Sequence, residues 1–191
     1  MIVVFGGAFN PPTIAHQQIY FYVRQHLDVK EFIYLPVSSQ YTKRSLASNY
    51  HRLQMLRLMT KGLPGVKVST MEFDDPEYRG TYQSLLRIQE QHPEEIVAFA
   101  IGADNLPKLP SWINIKGMLT EFKFIVLNRH HLNIRQAIGD DPLLRQYPDA
   151  FITLPEFSVD VSSTAFRENL DPGSVTTEVY DYIITHDLYK E

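Results

Sequence analysis

The sequence predicts an α/β fold built on a doubly wound, largely parallel sheet with helices on both faces. Three observations carry this. Short, wholly apolar runs alternate along the chain with longer amphipathic ones. The first apolar run stops at a pair of glycines, as a buried parallel strand does at its carboxyl end. The 191 residues are 44% hydrophobic and 21% charged, enough to bury a sizeable core.

In chain order, Ile2–Phe5 is the first strand and runs into Gly6-Gly7. From about Thr13 to Gln25, Ile14, Ile19, Phe21, Tyr22 and Val23 fit a mostly apolar helix. Phe32–Leu35 is a second strand, stopped by Pro36. Ser48 is the N-cap of a helix in which Leu53, Leu56, Leu58 and Met59 recur at helical spacing. Val66–Val68 is a short third strand, and Thr81 caps a helix to about Gln91. Ile96–Ile101 is the clearest strand after the first, followed by Phe122–Leu127 and a shorter one at Phe151–Leu154. Ser163–Glu168 and Thr176–Thr185 close the chain as helices. The stretches 74–80 and 139–150 are polar and proline-containing, and are expected as loops. No repeat or linker divides the chain, so residues 1–191 are expected to form one domain.

Bulk composition narrows the function classes. The net charge of −4 and the lack of a basic stripe argue against a nucleic-acid partner. With no cysteine, the chain has no disulfide, no thiolate nucleophile and no cysteine-ligated zinc. No apolar run approaches the roughly 20 residues of a membrane span. Met1–Phe5 has no charged region before it and no signal-like length, so the cytosol is the expected location. His130-His131 lacks a carboxylate partner at helical spacing and reads as a loop or helix-end pair, not a metal site.

The most informative stretch is Gly6-Gly7-Ala8-Phe9-Asn10-Pro11-Pro12-Thr13-Ile14-Ala15-His16. Two glycines after a buried strand let backbone approach a ligand closely, and Asn10-Pro11-Pro12 forces a turn. A helix then starts near Thr13, which aims its N-terminus at the carboxyl end of the sheet, where anions bind. Thr13 and His16, three apart, share one face of the first helical turn. Phosphoryl-type transfer needs positioning and hydrogen-bond donors more than covalent chemistry, and a histidine at a helix start supplies a donor. Packing alone is the other reading of the glycines. Walker-type and dinucleotide-type loops are both excluded, since neither Gly-Lys-Ser/Thr nor Gly-x-Gly-x-x-Gly occurs here.

A second signal is Val161-Ser162-Ser163-Thr164-Ala165-Phe166-Arg167. Three hydroxyl residues ahead of a short helix form an N-cap cluster, and Arg167 adds a fixed guanidinium one turn in. Together they suit a triphosphate.

These two stretches, in this order, resemble the H/T-x-G-H and I-S-S-T-x-I/F-R signatures of the nucleotidylyltransferase superfamily. The likeness is closest to the nicotinate (nicotinamide) mononucleotide adenylyltransferases. Thr13 and His16 take the outer positions of the first signature, and Ala15 stands where glycine is commonest. The resemblance extends through most of the chain. Gly102-Ala103-Asp104, at the end of a strand, is similar to the family's nucleoside-contacting G-A-D, and a carboxylate there can accept from ribose hydroxyls. Leu109-Pro110-Ser111-Trp112 resembles its L-P-x-W, whose Trp could stack on a pyridine ring; without the family, a lone Trp reads as core. Thr81-Tyr82 looks like the T-Y at the start of the helix lining the pyridine site. Lys43 alone is kept from the family's P-P-H-K-like segment.

The resemblance implies a Rossmann-like fold and transfer of AMP from ATP to nicotinate mononucleotide, giving deamido-NAD and pyrophosphate. It implies a catalytic group of His16, Thr13, Arg167 and Lys43. ATP would be held by Gly6, Gly7, Ala8, Phe9, His16, Gly102, Asp104, Ser162, Ser163 and Arg167, and the acceptor by Lys43, Thr81, Tyr82 and Trp112. The helical part from about residue 160 to 191 would complete the ATP site. Mg²⁺ would arrive on ATP, with no protein ligand expected. Nicotinamide mononucleotide or phosphopantetheine as acceptor, and a non-catalytic nucleotide sensor, are the alternatives.

Overall fold

Six strands run through the chain: β1 (Ile2–Gly7), β2 (Glu31–Pro36), β3 (Val66–Val68), β4 (Val97–Gly102), β5 (Lys123–Asn128) and β6 (Phe151–Glu156). They form one sheet ordered β3-β2-β1-β4-β5-β6, and every neighbouring pair is parallel. The computed structural model describes residues 1–41, 46–77, 80–128, 132–157 and 161–190.

Among the described residues seven α-helices cover the sheet: α1 (Ile14–His26), α2 (Asn49–Thr60), α3 (Thr81–Gln91), α4 (Ile115–Glu121), α5 (Ile134–Asp140), α6 (Ser163–Asn169) and α7 (Thr177–Thr185). Successive strand residues face opposite ways, so β1 sends Ile2 and Val4 to one core and Val3 to the other. The first core joins them to Leu85 and Ile88 of α3, Met118 of α4 and Ile138 of α5. The second packs Val3, Phe32 and Tyr34 against Ile19 and Val23 of α1, Met55 of α2, Phe166 of α6 and Val179 of α7. Each fully buried large apolar side chain contributes roughly 1.5–3 kcal/mol. The sheet is therefore doubly wound, as the apolar strand runs predict.

Ends match the sequence reading closely, and each difference has a local cause. Ser48 caps α2, its Oγ accepting from the His51 N–H at 3.3 Å. Thr81 begins α3 as its first helical residue, the cap being Gly80 at φ 95°. Ile96 is 55% exposed and precedes β4. Helices α4 and α5 are seven residues each, too short to show a periodicity. The stretch 139–150 holds the end of α5 and two single 3-10 turns, Leu144–Gln146 and Pro148–Ala150, rather than a plain loop.

Candidate active site

The strand order reverses between β1 and β4, and their pairing ends at Phe5 and Ala100, before the last residues of either strand. A cavity of about 490 Å³ opens at this place.

Its first wall is the turn from β1 to α1. Phe9 adopts a left-handed backbone at φ 47°, the Asn10–Pro11 peptide is cis, and Thr13 is the extended N-cap of α1. The Thr13 N–H donates to His16 Nδ1 at 2.9 Å, and Thr13 Oγ1 lies 2.9 Å from the same nitrogen. A side chain three places into the helix thus reaches back to the cap, one half of a capping box. An Nδ1 that accepts from a backbone N–H carries no proton, so the neutral ring holds its proton on Nε2 and presents a donor there. The His16 ring sits 5.0 Å from that of Phe9 and 5.9 Å from that of Phe5, while Tyr34 Oη donates to the His16 carbonyl at 2.8 Å. Contacts from strand, turn and helix thus surround the imidazole.

The two glycines serve packing as well as access. A Cβ on Gly6 would meet the Phe99 ring at 2.8 Å, and one on Gly7 the Phe9 ring at 3.1 Å. Gly6, Gly7, Ala8 and His16 line the cavity. Phe9 is buried and does not line it.

Opposite stand Gly102 of β4, Asn105, Trp112 and Thr81, the first residue of α3. Trp112 packs edge-on against Phe99, ring centres 6.0 Å apart. Asp104 is exposed in the 3-10 segment Ala103–Ser111; its neighbour Asn105 faces the cavity and donates to the Gly102 carbonyl at 3.3 Å. Tyr82 does not line the cavity: its hydroxyl donates to Glu121 Oε1 at 2.5 Å and its ring covers Gly117. Lys43 and the His130-His131 pair lie outside the described residues.

The C-terminal stretch meets the N-terminal one. Ser163 Oγ donates to the Pro11 carbonyl at 2.8 Å across 152 residues of sequence, and Arg167 Nη1 donates to the Asn10 carbonyl at 2.6 Å across 157. Ser162 is the N-cap of α6, its Oγ accepting from the Ala165 N–H at 3.1 Å. Asn10 is itself buried, and its Oδ1 accepts from the Ala47 N–H at 3.0 Å and the Tyr189 hydroxyl at 2.8 Å. Arg167 and Ser163 therefore brace the outer side of the turn that carries His16. Arg167 also lines a second cleft with Asn10, Ala47 and Tyr189, and neither it nor the serines line the first cavity.

Two further residues of the site were not legible from the sequence. Glu72, 4% exposed, lines the cavity and accepts from Ser84 Oγ at 2.8 Å. Burial pushes its carboxyl up to about 7; the Ser84 hydrogen bond opposes this, and the Asp75 charge adds to it. Asn105 is the other. Glu72 lies in an acidic, turn-rich stretch that reads as solvated, and nothing in the local pattern signals its burial.

Residues 4–169 match the family model described as cytidylyltransferase-like. The chain belongs to the cytidylyltransferase-like family. Within that family it is 30% identical to the probable nicotinate-nucleotide adenylyltransferase of Acholeplasma laidlawii, over 100% of this chain and 98% of the relative. It is also 30% identical to the probable nicotinate-nucleotide adenylyltransferase of Endomicrobium trichonymphae, covering 99% of this chain and 98% of that one. The Plasmodium falciparum nicotinic acid mononucleotide adenylyltransferase complexed with APC has the same fold, with a TM-score of 0.75 at 22% identity, covering 98% of this chain and 96% of that one. In this cytidylyltransferase-like chain the model match spans both the His16 turn and Arg167, the two stretches that meet at Asn10–Pro11. No described helix is long and apolar enough to cross a membrane.

Proposed function

We propose that this protein transfers the adenylyl group of ATP to nicotinate mononucleotide, releasing pyrophosphate and forming deamido-NAD, a step of NAD biosynthesis. One observation carries the reading. His16, with its proton fixed on Nε2, faces Trp112 and Thr81 across one cavity at the switch point, in a chain related along its whole length to nicotinate-nucleotide adenylyltransferases.

In this reading an oxygen of the acceptor phosphate attacks the α-phosphorus of ATP in line. The new P–O bond forms as the bond to the β-phosphate bridging oxygen breaks, and pyrophosphate leaves with its electron pair. The acceptor phosphate is already anionic, so no base has to deprotonate it. His16 Nε2–H stabilises charge on the transferring phosphate. Thr13 holds the ring. Gly6, Gly7, Ala8 and Gly102 line the nucleotide's path, and Asp104 is assigned to the ribose. Ser162, Ser163 and Arg167, in the C-terminal helical part of a single domain spanning residues 1–191, are assigned to the triphosphate end, with Lys43 as a helper. Trp112 stacks on the pyridine. Thr81 opens α3, and the positive end of that 11-residue helix favours a carboxylate over an amide, which supports nicotinate as the acceptor base.

Among the described residues no three His, Asp or Glu side chains cluster as a metal cage. Mg²⁺ would come with the triphosphate, held by phosphate oxygens and water, and would neutralise part of their charge. The cytoplasm, expected from the sequence, is the location assigned to the reaction in this reading.

The test is pyrophosphate release with ATP and, side by side, nicotinate mononucleotide, nicotinamide mononucleotide and phosphopantetheine. The highest kcat/KM is expected for the nicotinate compound. Equal or greater kcat/KM with phosphopantetheine, or ATP binding without turnover on any acceptor, would overturn the assignment.

A further inference from the structure

Arg52 of α2 is fully buried, at 0% exposure. Its guanidinium donates to four acceptors: Nε to the Ala47 carbonyl at 3.1 Å, Nη1 to the Ala8 carbonyl at 2.7 Å, and Nη2 to the Val37 carbonyl and to Asn49 Oδ1, both at 2.7 Å. The Phe73 ring lies 5.1 Å from the guanidinium carbon, and the Tyr189 phenol is also close enough to feel its charge. All four acceptors are neutral, and among the described residues no carboxylate forms an ion pair with it. Hydrogen bonding is satisfied, but the positive charge is not cancelled.

A buried cation without a counter-charge is costly, and a purely structural bridge would gain from a carboxylate partner. Burial pulls Arg52 down to about 10, which still leaves it charged at neutral pH. The location gives that charge a use. Ala8 and Val37 both line the cavity, so the guanidinium lies directly behind its wall and ties the β1 turn to the end of β2.

We propose that Arg52 is a positioning residue of the nucleotide site that also lends it charge: it fixes the Ala8 and Val37 walls and keeps an uncompensated positive charge behind them that favours the polyphosphate of ATP. This rests on the reading that ATP binds in the cavity.

Asn49→Asp tests the charge without removing the arginine. The substitution is isosteric, keeps an acceptor 2.7 Å from Nη2 and one for the Ser39 N–H, and neutralises the guanidinium in place. Titration calorimetry with ATP and with adenosine, on the whole chain at low ionic strength, supplies the readout. ATP is expected to bind about tenfold more weakly and adenosine within about twofold of the unmodified protein, with no loss of thermal stability. Unchanged ATP binding, or equal losses for ATP and adenosine, overturns the charge role. Arg52→Lys is the second arm. It keeps the charge but cannot span four acceptors, so ATP affinity within about threefold and kcat lowered at least about tenfold are expected. An Arg52→Lys protein that keeps its full kcat refutes the positioning role, and one that loses ATP affinity refutes the charge role even if Asn49→Asp cannot be purified. Should the unmodified chain fail to bind ATP at all, the reading of the cavity falls, and this inference with it.

Discussion

Glu72→Gln should stabilise this protein, and the gain should depend on pH. The carboxyl is buried, its ordinary value of 4.5 is raised to about 7, and the Ser84 hydroxyl is its hydrogen-bond donor at 2.8 Å. The folded chain thus holds the Glu72 proton more tightly than the unfolded chain does. Between pH 4.5 and about 7 folding takes up a proton, so stability falls as pH rises through that window. The cost is complete above about 7 and absent below 4.5. At ~1.4 kcal/mol for each tenfold change in proton affinity, the full difference is about 3 kcal/mol. Glutamine keeps a carbonyl oxygen for Ser84 and carries no charge to desolvate. Thermal melts at pH 8 should place Tm of the variant about 6–12 °C above the parent, at ~2–4 °C per kcal/mol for a chain of this size. At pH 5 the advantage should shrink to under ~1 kcal/mol. A variant no more stable than its parent at pH 8, or one with the same gain at both pH values, would refute the argument that burial dominates at this carboxyl.

Three further substitutions address the site. His16→Ala should lower turnover at least ~100-fold in a folded protein, the scale of losing a preorganised donor; near-normal kcat in a variant with unchanged circular dichroism would remove His16 from the chemistry. Trp112→Ala should raise KM for the pyridine nucleotide about tenfold and leave KM for ATP unchanged, and the reverse pattern would place the adenine, not the pyridine, against this ring. Arg167→Ala removes the 2.6 Å bond to the Asn10 carbonyl, a charged hydrogen bond worth roughly 1.5–3 kcal/mol. KM for ATP should rise about tenfold or more, and an unaltered value would reduce Arg167 to a surface brace.

The parts of the site legible in the sequence are those fixed by short-range geometry. Thr13 and His16 lie three apart at a helix start, so their meeting follows from helical spacing alone. Ser162 acts as a cap for the same reason. What spacing cannot encode is which side chain a distant strand brings in. Phe99 fills the room over Gly6 from β4, a contact that no reading of the glycine turn contains. Asp104 and Asn105 are adjacent, and only the path of the 3-10 segment decides that Asn105 faces inward. Tyr82 and Thr81 are separated by one helical step, which turns Thr81 to the cavity and Tyr82 to Glu121. Arg52 looks like one more basic residue on an amphipathic helix until its four neutral acceptors are seen. Strands β1, β2, β4 and β5 were plain because each centres on a run of apolar residues buried on both faces, whereas the edge strands β3 and β6 are only partly covered. Helices α4 and α5 escaped because two turns are too few to establish a period and neither opens on a hydroxyl cluster like the one that marks the equally short α6.

Asn10 has a consequence for the order in which the living cell acquires the activity. It precedes Ala47, Arg167 and Tyr189 in the chain, so three of its bonds wait for residues translated later. Until residues 167 and 189 have been made, the turn that leads into the helix of His16 lacks two of its anchors. Translation intermediates of this protein should therefore hold the Asn10 turn incompletely until residue 189 has emerged.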